Sequence, residues 1–142
     1  MYNNPESLFA AVKKAVGSEL SIRRSNDRLM VQKGCYILNR WGHGPEYRYD
    51  LYVRGPYSSE LADDYYELKG FVGEETDIPA DAIDRLSDIM GKGVRYTEAY
   101  ATALLVKTVN PDRTDEEVYR KTVEIKPHLK KEVEEALAAL TA

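Results

Sequence analysis

Two stretches of helical length that are apolar on almost every side constrain the fold of this chain most. In residues 27–41 the apolar side chains cover most of a helical wheel: Leu29, Met30, Val31, Cys35, Tyr36, Ile37, Leu38 and Trp41. Residues 97–109 show the same composition, with little polar relief: Ala99, Tyr100, Ala101, Ala103, Leu104, Leu105, Val106 and Val109. A helix that is apolar all round must be enclosed by other elements. We therefore predict two central helices surrounded by the rest of the chain.

Capping signals and apolar stripes predict further helices around this pair. Asn4 before Pro5 is typical of a helix start, and the stripe that follows ends at Gly17. Other helices are expected after Ser58 or Ser59, across residues 79–90, and across residues 129–140. Thr114 and Glu117 have the spacing of a capping box and predict one more helix.

One segment alternates in the manner of a β-strand. Tyr47, Tyr49, Leu51 and Val53 are predicted to point inward, and the residues between them outward: Arg48, Asp50, Tyr52 and Arg54. Gly55-Pro56 is expected to stop this strand, and Phe71-Val72 to form a short strand that pairs back as a small wing. The expected fold class is α+β and predominantly helical: one domain over residues 1–142, with six or seven helices and one strand or a small hairpin, in which a winged-helix-like element can occur.

The length and cysteine content of the chain indicate the number of domains and the cellular compartment. A chain of 142 residues fits one ordinary domain without needing disulfides or metals. The single cysteine, Cys35, cannot form an internal disulfide, and its apolar neighbours favour a reducing compartment. The polar start and the lack of a run of about 20 apolar residues argue against secretion and membrane insertion. The expected location is the cytoplasm.

Charge is unevenly distributed along the chain. Residues 21–55 contain seven basic and three acidic residues, a net of +4, so the rest carries -8 to give the overall -4. Arg23, Arg24 and Arg28 begin this basic region and are the candidate contacts for nucleic acid. The alternative is that they are simply solvated surface arginines.

No residue pattern predicts a catalytic, metal or cofactor site. His43 and His128 are 85 positions apart, and neither has a second ligand at helical spacing. Cys35 lies on the apolar side of a predicted buried helix, and Ser58 and Ser59 are typical of helix caps. The sequence therefore favours a noncatalytic role without a metal or cofactor.

Tyrosine and arginine concentrate between Trp41 and Tyr57. Tyrosine rings bury large areas at small entropic cost, and guanidinium groups grip carboxylates and phosphates. This segment predicts a binding surface, with these residues as candidates: Arg48, Tyr52, Arg54, Gly55, Pro56 and Tyr57. The alternative is that the tyrosines fill the core while the arginines extend to solvent.

Several short motifs resemble the YwgA-like proteins over about residues 5–140. The most specific piece is Tyr49-Asp50-Leu51-Tyr52 entering Gly55-Pro56-Tyr57-Ser58, and the others are Val31-Gln32-Lys33, Tyr36-Ile37-Leu38, Glu98-Ala99 and Lys126-Pro127-His128. That group is more distantly similar to Panacea domains such as the SocA-like antitoxins. The resemblance implies an antitoxin-like or adaptor role through protein contact and supplies no catalytic residue.

Three functions follow as expectations. The first is a noncatalytic protein-interaction module, antitoxin-like or regulatory, whose protein partner the sequence does not name. The second is a nucleic-acid-binding protein with a winged-helix-like arrangement. Four acidic residues in the helix predicted after the strand argue against it, because they would repel phosphates: Glu60, Asp63, Asp64 and Glu67. The third is an enzyme that acts on a nucleotide or other anion beside Gly55-Pro56.

Overall fold

The computed structural model describes residues 4–52 and 55–141, apart from the side chain of Tyr52. Within these residues it contains seven α-helices, one 3-10 turn and a two-stranded hairpin. The elements are α1 (Pro5–Val16), α2 (Ser25–Arg40), β1 (Asp50–Tyr52), β2 (Gly55–Tyr57), α3 (Ser59–Glu67), α4 (Ala80–Met90), α5 (Val94–Val109), α6 (Asp115–Ile125), the 3-10 turn (Pro127–Leu129) and α7 (Lys130–Thr141). The predicted class, predominantly helical α+β, is confirmed.

The two central helices are α2 and α5, as predicted. Every residue from Leu29 to Leu38 in α2 is buried, as is the run from Tyr96 to Ala103 in α5. The two helices pack against each other, α1 and α4 cover α2, and α6 and α7 cover α5. The unbroken burial explains the missing polar face, because each central helix has neighbours on several sides.

Local signals place the outer helices correctly. At the start of α1 the Asn4 side chain accepts a hydrogen bond from the Ser7 amide, and the helix ends at Gly17 with φ 81°. At the start of α6, Thr114 and Glu117 form the predicted capping box, in which each side chain accepts from the other residue's amide. These caps satisfy amides that have no partner within the helix.

The strand prediction was wrong in extent and in partner. Only Asp50–Tyr52 joins a ladder, and Gly55-Pro56 does not end the sheet, because β2 runs antiparallel to β1 with Leu51 opposite Pro56. Proline lacks an amide N–H but is tolerated there, since each strand of a two-stranded ladder has an unpaired side. Leu51, predicted inward, is 44% exposed, because the hairpin covers the core only through β2.

The predicted wing at Phe71-Val72 is also absent from the described residues. Phe71 is instead buried, with its ring centroid 5.7 Å from that of Phe9 and 5.0 Å from that of Tyr65, while Val72 is exposed. Edge-to-face packing of these large rings adds to the stabilisation from the area that they bury. The hairpin therefore precedes α3 and no wing follows it.

Candidate functional site

A pocket of about 150 Å³ lies between the first half of α2, strand β2 and helix α3. We call it the α2–β2 pocket. Its described lining residues are Ser25, Arg28, Leu29, Gln32, Lys33, Tyr57 and Tyr65. It combines two cationic side chains with two tyrosine rings, and none of these lining residues carries a carboxylate.

Gln32 fixes the junction of β2 and α3 to α2. Its amide nitrogen donates to Ser58 O at 3.0 Å, and its oxygen accepts from Ser58 N at 2.8 Å. The Ser58 hydroxyl in turn accepts from the Leu61 amide and caps α3. Paired buried hydrogen bonds of this kind fix position strongly, because separating them would leave polar groups buried without partners.

Lys33 joins β2 to α2 in the same way. Its side chain is almost fully buried, and Nζ donates to Pro56 O at 2.7 Å. Beside it Gly55 has φ 92°, and a Cβ at this position would lie 2.5 Å from Thr102 Oγ1. The absence of a side chain lets the β2 backbone approach both central helices, so the pocket has a rigid wall.

Arg28 provides the accessible cation. It is partly buried, and Nη1 donates to Ile22 O at 2.6 Å, which is the one hydrogen bond of its side chain among the described residues. A guanidinium has five N–H donors in a planar fork. The remaining donors are therefore available to a carboxylate or phosphate that enters the pocket.

Tyr57 and Tyr65 form the aromatic side of the pocket. Tyr65 is buried and Gln32 Nε2 lies 3.4 Å from its hydroxyl, while Tyr57 is half-buried. Burial raises the pKa of Tyr65, and its neighbour Tyr57 raises it further. Tyr65 therefore presents a protonated hydroxyl near neutral pH.

A buried ion pair lies behind this wall. Lys126 Nζ is 3.1 Å from Glu98 Oε2, and the two side chains are 0% and 5% exposed. Glu98 is one helical turn before Thr102, whose hydroxyl donates to Glu98 O at 2.7 Å. The pair joins the end of α6 to α5 and lies in the interior, so its role is positioning.

The structure brings some predicted binding residues together and separates others. Tyr57 lines the pocket, whereas Gly55 and Pro56 are buried and contribute through their backbone. Arg48 is exposed, and its amide donates to Glu60 at 2.9 Å. The Tyr52 side chain and Arg54 lie outside the described residues.

The three arginines predicted as nucleic-acid contacts lie in different settings. Arg28 belongs to the pocket, while Arg23 and Arg24 are exposed in the segment before α2. Arg24 lies 4.0 Å from Asp27, which partly neutralises it. The sequence suggested the arginines and Tyr57 as parts of two different surfaces. Of the three arginines, only Arg28 lines the pocket together with Tyr57.

Sequence reasoning missed Gln32 and Lys33 as structural contacts and Tyr65 as part of the pocket. A signal was present, because Gln32 and Lys33 interrupt an otherwise apolar helix that is buried on all sides. Polar groups in such a position need internal partners. The partners themselves, Ser58 and Pro56, are 26 and 23 residues away, so the sequence alone could not identify them.

Other candidates show no chemistry in the described residues. Cys35 is fully buried and burial raises the pKa of its thiol, so it is not a nucleophile. The described residues contain no group of three or more histidine, cysteine, aspartate or glutamate side chains that could hold a metal. None of their helices has the length and apolar content that crossing a membrane requires.

The pocket's chemistry therefore suits recognition of an anionic group beside an aromatic wall. Arg28 has unused hydrogen-bond donors, whereas Gln32 and Lys33 donate to the backbone of Ser58 and Pro56. Comparison of the chain with protein-family models, with curated proteins and with solved structures finds no match.

Proposed function

We propose that this chain is a noncatalytic protein-interaction module, antitoxin-like or regulatory, that binds an acidic segment of a partner protein at the α2–β2 pocket. The observation that carries the proposal is the pocket's lining, in which Arg28 has free donors beside Tyr57 and Tyr65. A carboxylate of the partner pairs with Arg28, and an adjacent side chain packs on Tyr57. Arginine and tyrosine are the residue types that contribute most at protein interfaces.

Charge around the pocket supports an acidic partner. Arg23 and Arg24 are exposed just before the pocket, within a region whose net charge is +4 in a chain of net charge -4. Such a local basic area attracts and orients an acidic segment, although the whole molecule is acidic. The same field raises the association rate and weakens as salt concentration rises.

Helix α3 argues against a duplex nucleic acid as the partner. Glu60, Asp63 and Glu67 are exposed on α3, which follows the hairpin in the place where a winged-helix-like arrangement would need a recognition helix. Carboxylates in that position repel phosphates. A folded partner protein can instead match a basic area beside an acidic one.

Selection of peptides by display tests the proposal. Random peptides are selected against the wild-type chain, and enriched sequences are measured for binding to Arg28→Gln. We expect enrichment of peptides that contain Asp or Glu, and weakening by about tenfold or more in Arg28→Gln, because a charge-assisted hydrogen bond is lost.

Arg120→Gln is the matched control, since Arg120 is exposed on α6 and lines neither this pocket nor the other cavity at α2. It removes the same charge and should leave peptide binding unchanged. Enrichment of peptides without acidic residues, or equal weakening by both variants, would contradict the proposal. Tighter binding to duplex DNA than to any peptide would replace it with the nucleic-acid hypothesis.

A further inference from the structure

A second cavity, separate from the α2–β2 pocket, lies near the end of α2. It has a volume of about 140 Å³, room for roughly four or five water-sized groups at about 30 Å³ each. Its described lining residues are Tyr36, Asn39, Arg40, Glu46, Tyr47, Tyr49, Leu105 and Thr108. We call it the Tyr36 cavity. The α2 residues nearest each other in the two linings, Lys33 and Tyr36, are three positions apart, about 4.5 Å along the helix axis.

Asn39 holds one wall of this cavity rigid. Its amide nitrogen donates to His43 O at 2.8 Å and to Pro45 O at 2.9 Å. Its oxygen accepts from the Tyr49 hydroxyl at 3.0 Å, and Tyr49 packs edge-on against Tyr36. The wall therefore exists before any ligand binds, and little ordering is needed on binding.

The Tyr36 hydroxyl is buried in this wall without a hydrogen-bond partner among the described residues. Tyr36 itself is 2% exposed. Thr108 is its polar neighbour and donates its own proton to Leu104 O at 2.7 Å, and the two hydroxyls are not placed to form a hydrogen bond with each other. Burial raises the pKa of Tyr36 to about 12, with Thr108 and Arg40 opposing, so the hydroxyl is a donor near neutral pH. An unsatisfied buried donor is uncommon in a folded chain.

Two charged side chains line the same cavity. Arg40 lies one helical turn after Tyr36, close enough to act on its ionisation, and has no ion pair among the described residues. Glu46 also lines the cavity, and no described residue pairs with it. Arg40 and Tyr36 together supply donors of the kind that hold a carboxylate.

We propose that the Tyr36 cavity binds a small carboxylate, whose oxygens accept hydrogen bonds from the Tyr36 hydroxyl and the Arg40 guanidinium. The cavity's volume limits the ligand to a few heavy atoms. Glu46 adds a partner for an ammonium group, so α-amino acids are the form of carboxylate that uses all three groups.

NMR titration of the full chain with acetate tests this site. We expect shifts of amide signals around Tyr36, Arg40 and Thr108, with a dissociation constant in the millimolar range, because so small a ligand buries little surface. Acetamide, which has the same shape without the charge, should bind at least about tenfold more weakly. Equal binding of acetate and acetamide would overturn the proposal.

Three variants distinguish binding inside the Tyr36 cavity from general charge attraction. Tyr36→Phe and Arg40→Gln should each weaken acetate binding by about tenfold. Tyr36→Phe should also leave the midpoint of thermal unfolding unchanged or raise it, because it removes an unsatisfied hydroxyl. Arg48→Gln removes an exposed arginine that does not line the cavity and should bind acetate normally. Loss of binding in Arg48→Gln would point to general charge attraction, and normal binding in Tyr36→Phe would show that the Tyr36 hydroxyl does not contact acetate; either result would overturn the proposal.

Glycine in place of acetate tests the role of Glu46. If the ligand is an α-amino acid, glycine binds more tightly than acetate, and Glu46→Gln removes the difference. Glycine that binds no better still supports a carboxylate site and restricts it to simple carboxylates. Failure of both ligands to bind at tens of millimolar would overturn the proposal.

Discussion

Gly55 lies where a side chain cannot be added without displacing a neighbour. Gly55→Ala places a methyl group near Thr102 Oγ1 and Lys33 Cε and also forces alanine into positive φ. We expect a loss of about 2–4 kcal/mol in the free energy of unfolding, measured by urea denaturation.

Gly42 provides the matched control for this substitution. It has φ 90°, close to that of Gly55, but nothing lies within 4 Å of a Cβ built on it. Gly42→Ala should therefore cost only the conformational part, about 1 kcal/mol. Equal losses in the two variants would mean that β2 does not approach the central helices as described.

The buried ion pair offers a second test at the residue scale. Lys126→Met leaves Glu98 buried without its ion-pair partner Lys126, and we expect a loss of about 3–5 kcal/mol in stability. The double variant Glu98→Leu with Lys126→Met should recover most of this loss, because both charges are then removed. Urea denaturation of the wild type, Lys126→Met, Glu98→Leu and the double variant gives the coupling.

The surface pair Arg120–Glu116 is the control for the buried pair. Its nitrogen and oxygen are 2.9 Å apart, but both side chains are largely exposed. Arg120→Met should change stability little, since exposed ion pairs contribute little. If the double variant at Glu98 and Lys126 is no more stable than Lys126→Met, the two side chains are not coupled.

At the scale of elements, the capping box of α6 gives a prediction that local sequence fully determines. Thr114→Ala removes the acceptor for the Glu117 amide and should cost about 1 kcal/mol, whereas Thr114→Ser should retain most of the stability. Hydrogen bonds from Thr114 lower the pKa of Glu117. A lowered carboxyl pKa stabilises the fold above the usual glutamate pKa, and this contribution is lost as pH falls through the lowered value.

Equilibrium unfolding at pH 7 and at pH 3 measures both the loss of the α6 cap and the pH dependence of the Glu117 contribution. The difference between Glu117→Gln and wild type should shrink at pH 3, because protonation of Glu117 weakens the hydrogen bond that its carboxylate accepts from the Thr114 amide. A difference that is absent at pH 7, or that grows in acid, would contradict this account of the α6 terminus.

The helices were predictable, and a small hairpin was expected as one alternative, but the limits and pairing of its strands were not predictable, for a physical reason. The limits of α1 and α6 follow from caps within one turn of each helix, and α2 and α5 follow from their own apolar surface. The hairpin depends on contacts of Gly55 with Thr102 and Lys33, which are distant in the chain. Alternation still predicted side-chain direction at Tyr47 and Tyr49, which are half-buried beside exposed Arg48 and Asp50.

The site was predictable only in its residue types. Tyrosine and arginine content pointed to Arg28 and Tyr57 separately, as members of two different hypothetical surfaces. Their meeting in one pocket depends on how β2 packs on α2, through Gln32 and Lys33. The Tyr36 cavity had no sequence signal, because Tyr36 reads as an ordinary core residue.

At the scale of the whole molecule, buried tyrosines predict loss of stability in alkali. Burial raises the pKa of Tyr36 to about 12, and it also raises those of Tyr47, Tyr49 and Tyr65. A raised pKa means that stability is complete below the unfolded tyrosine value near 10 and is lost as pH rises through the folded value. For Tyr36 alone the loss is roughly 2–3 kcal/mol, at about 1.4 kcal/mol per pKa unit.

Urea denaturation between pH 8 and pH 12 measures this loss, and absorbance at 295 nm reports phenolate formation. We expect ionisation of the buried tyrosines to coincide with unfolding, and a smaller decline in Tyr36→Phe. Complete ionisation near pH 10 in a chain that stays folded would contradict the burial of these rings.

Photo-crosslinking in cells of the native host tests the proposed function most directly. A benzophenone amino acid in place of Ser25, which is exposed and lines the α2–β2 pocket, should crosslink to an acidic segment of one partner protein. Addition of Arg28→Gln should abolish that product, and a crosslinker in place of exposed Glu124 on α6 should not form it. A product that persists in Arg28→Gln, or that joins the pocket to a segment without acidic residues, would contradict the account.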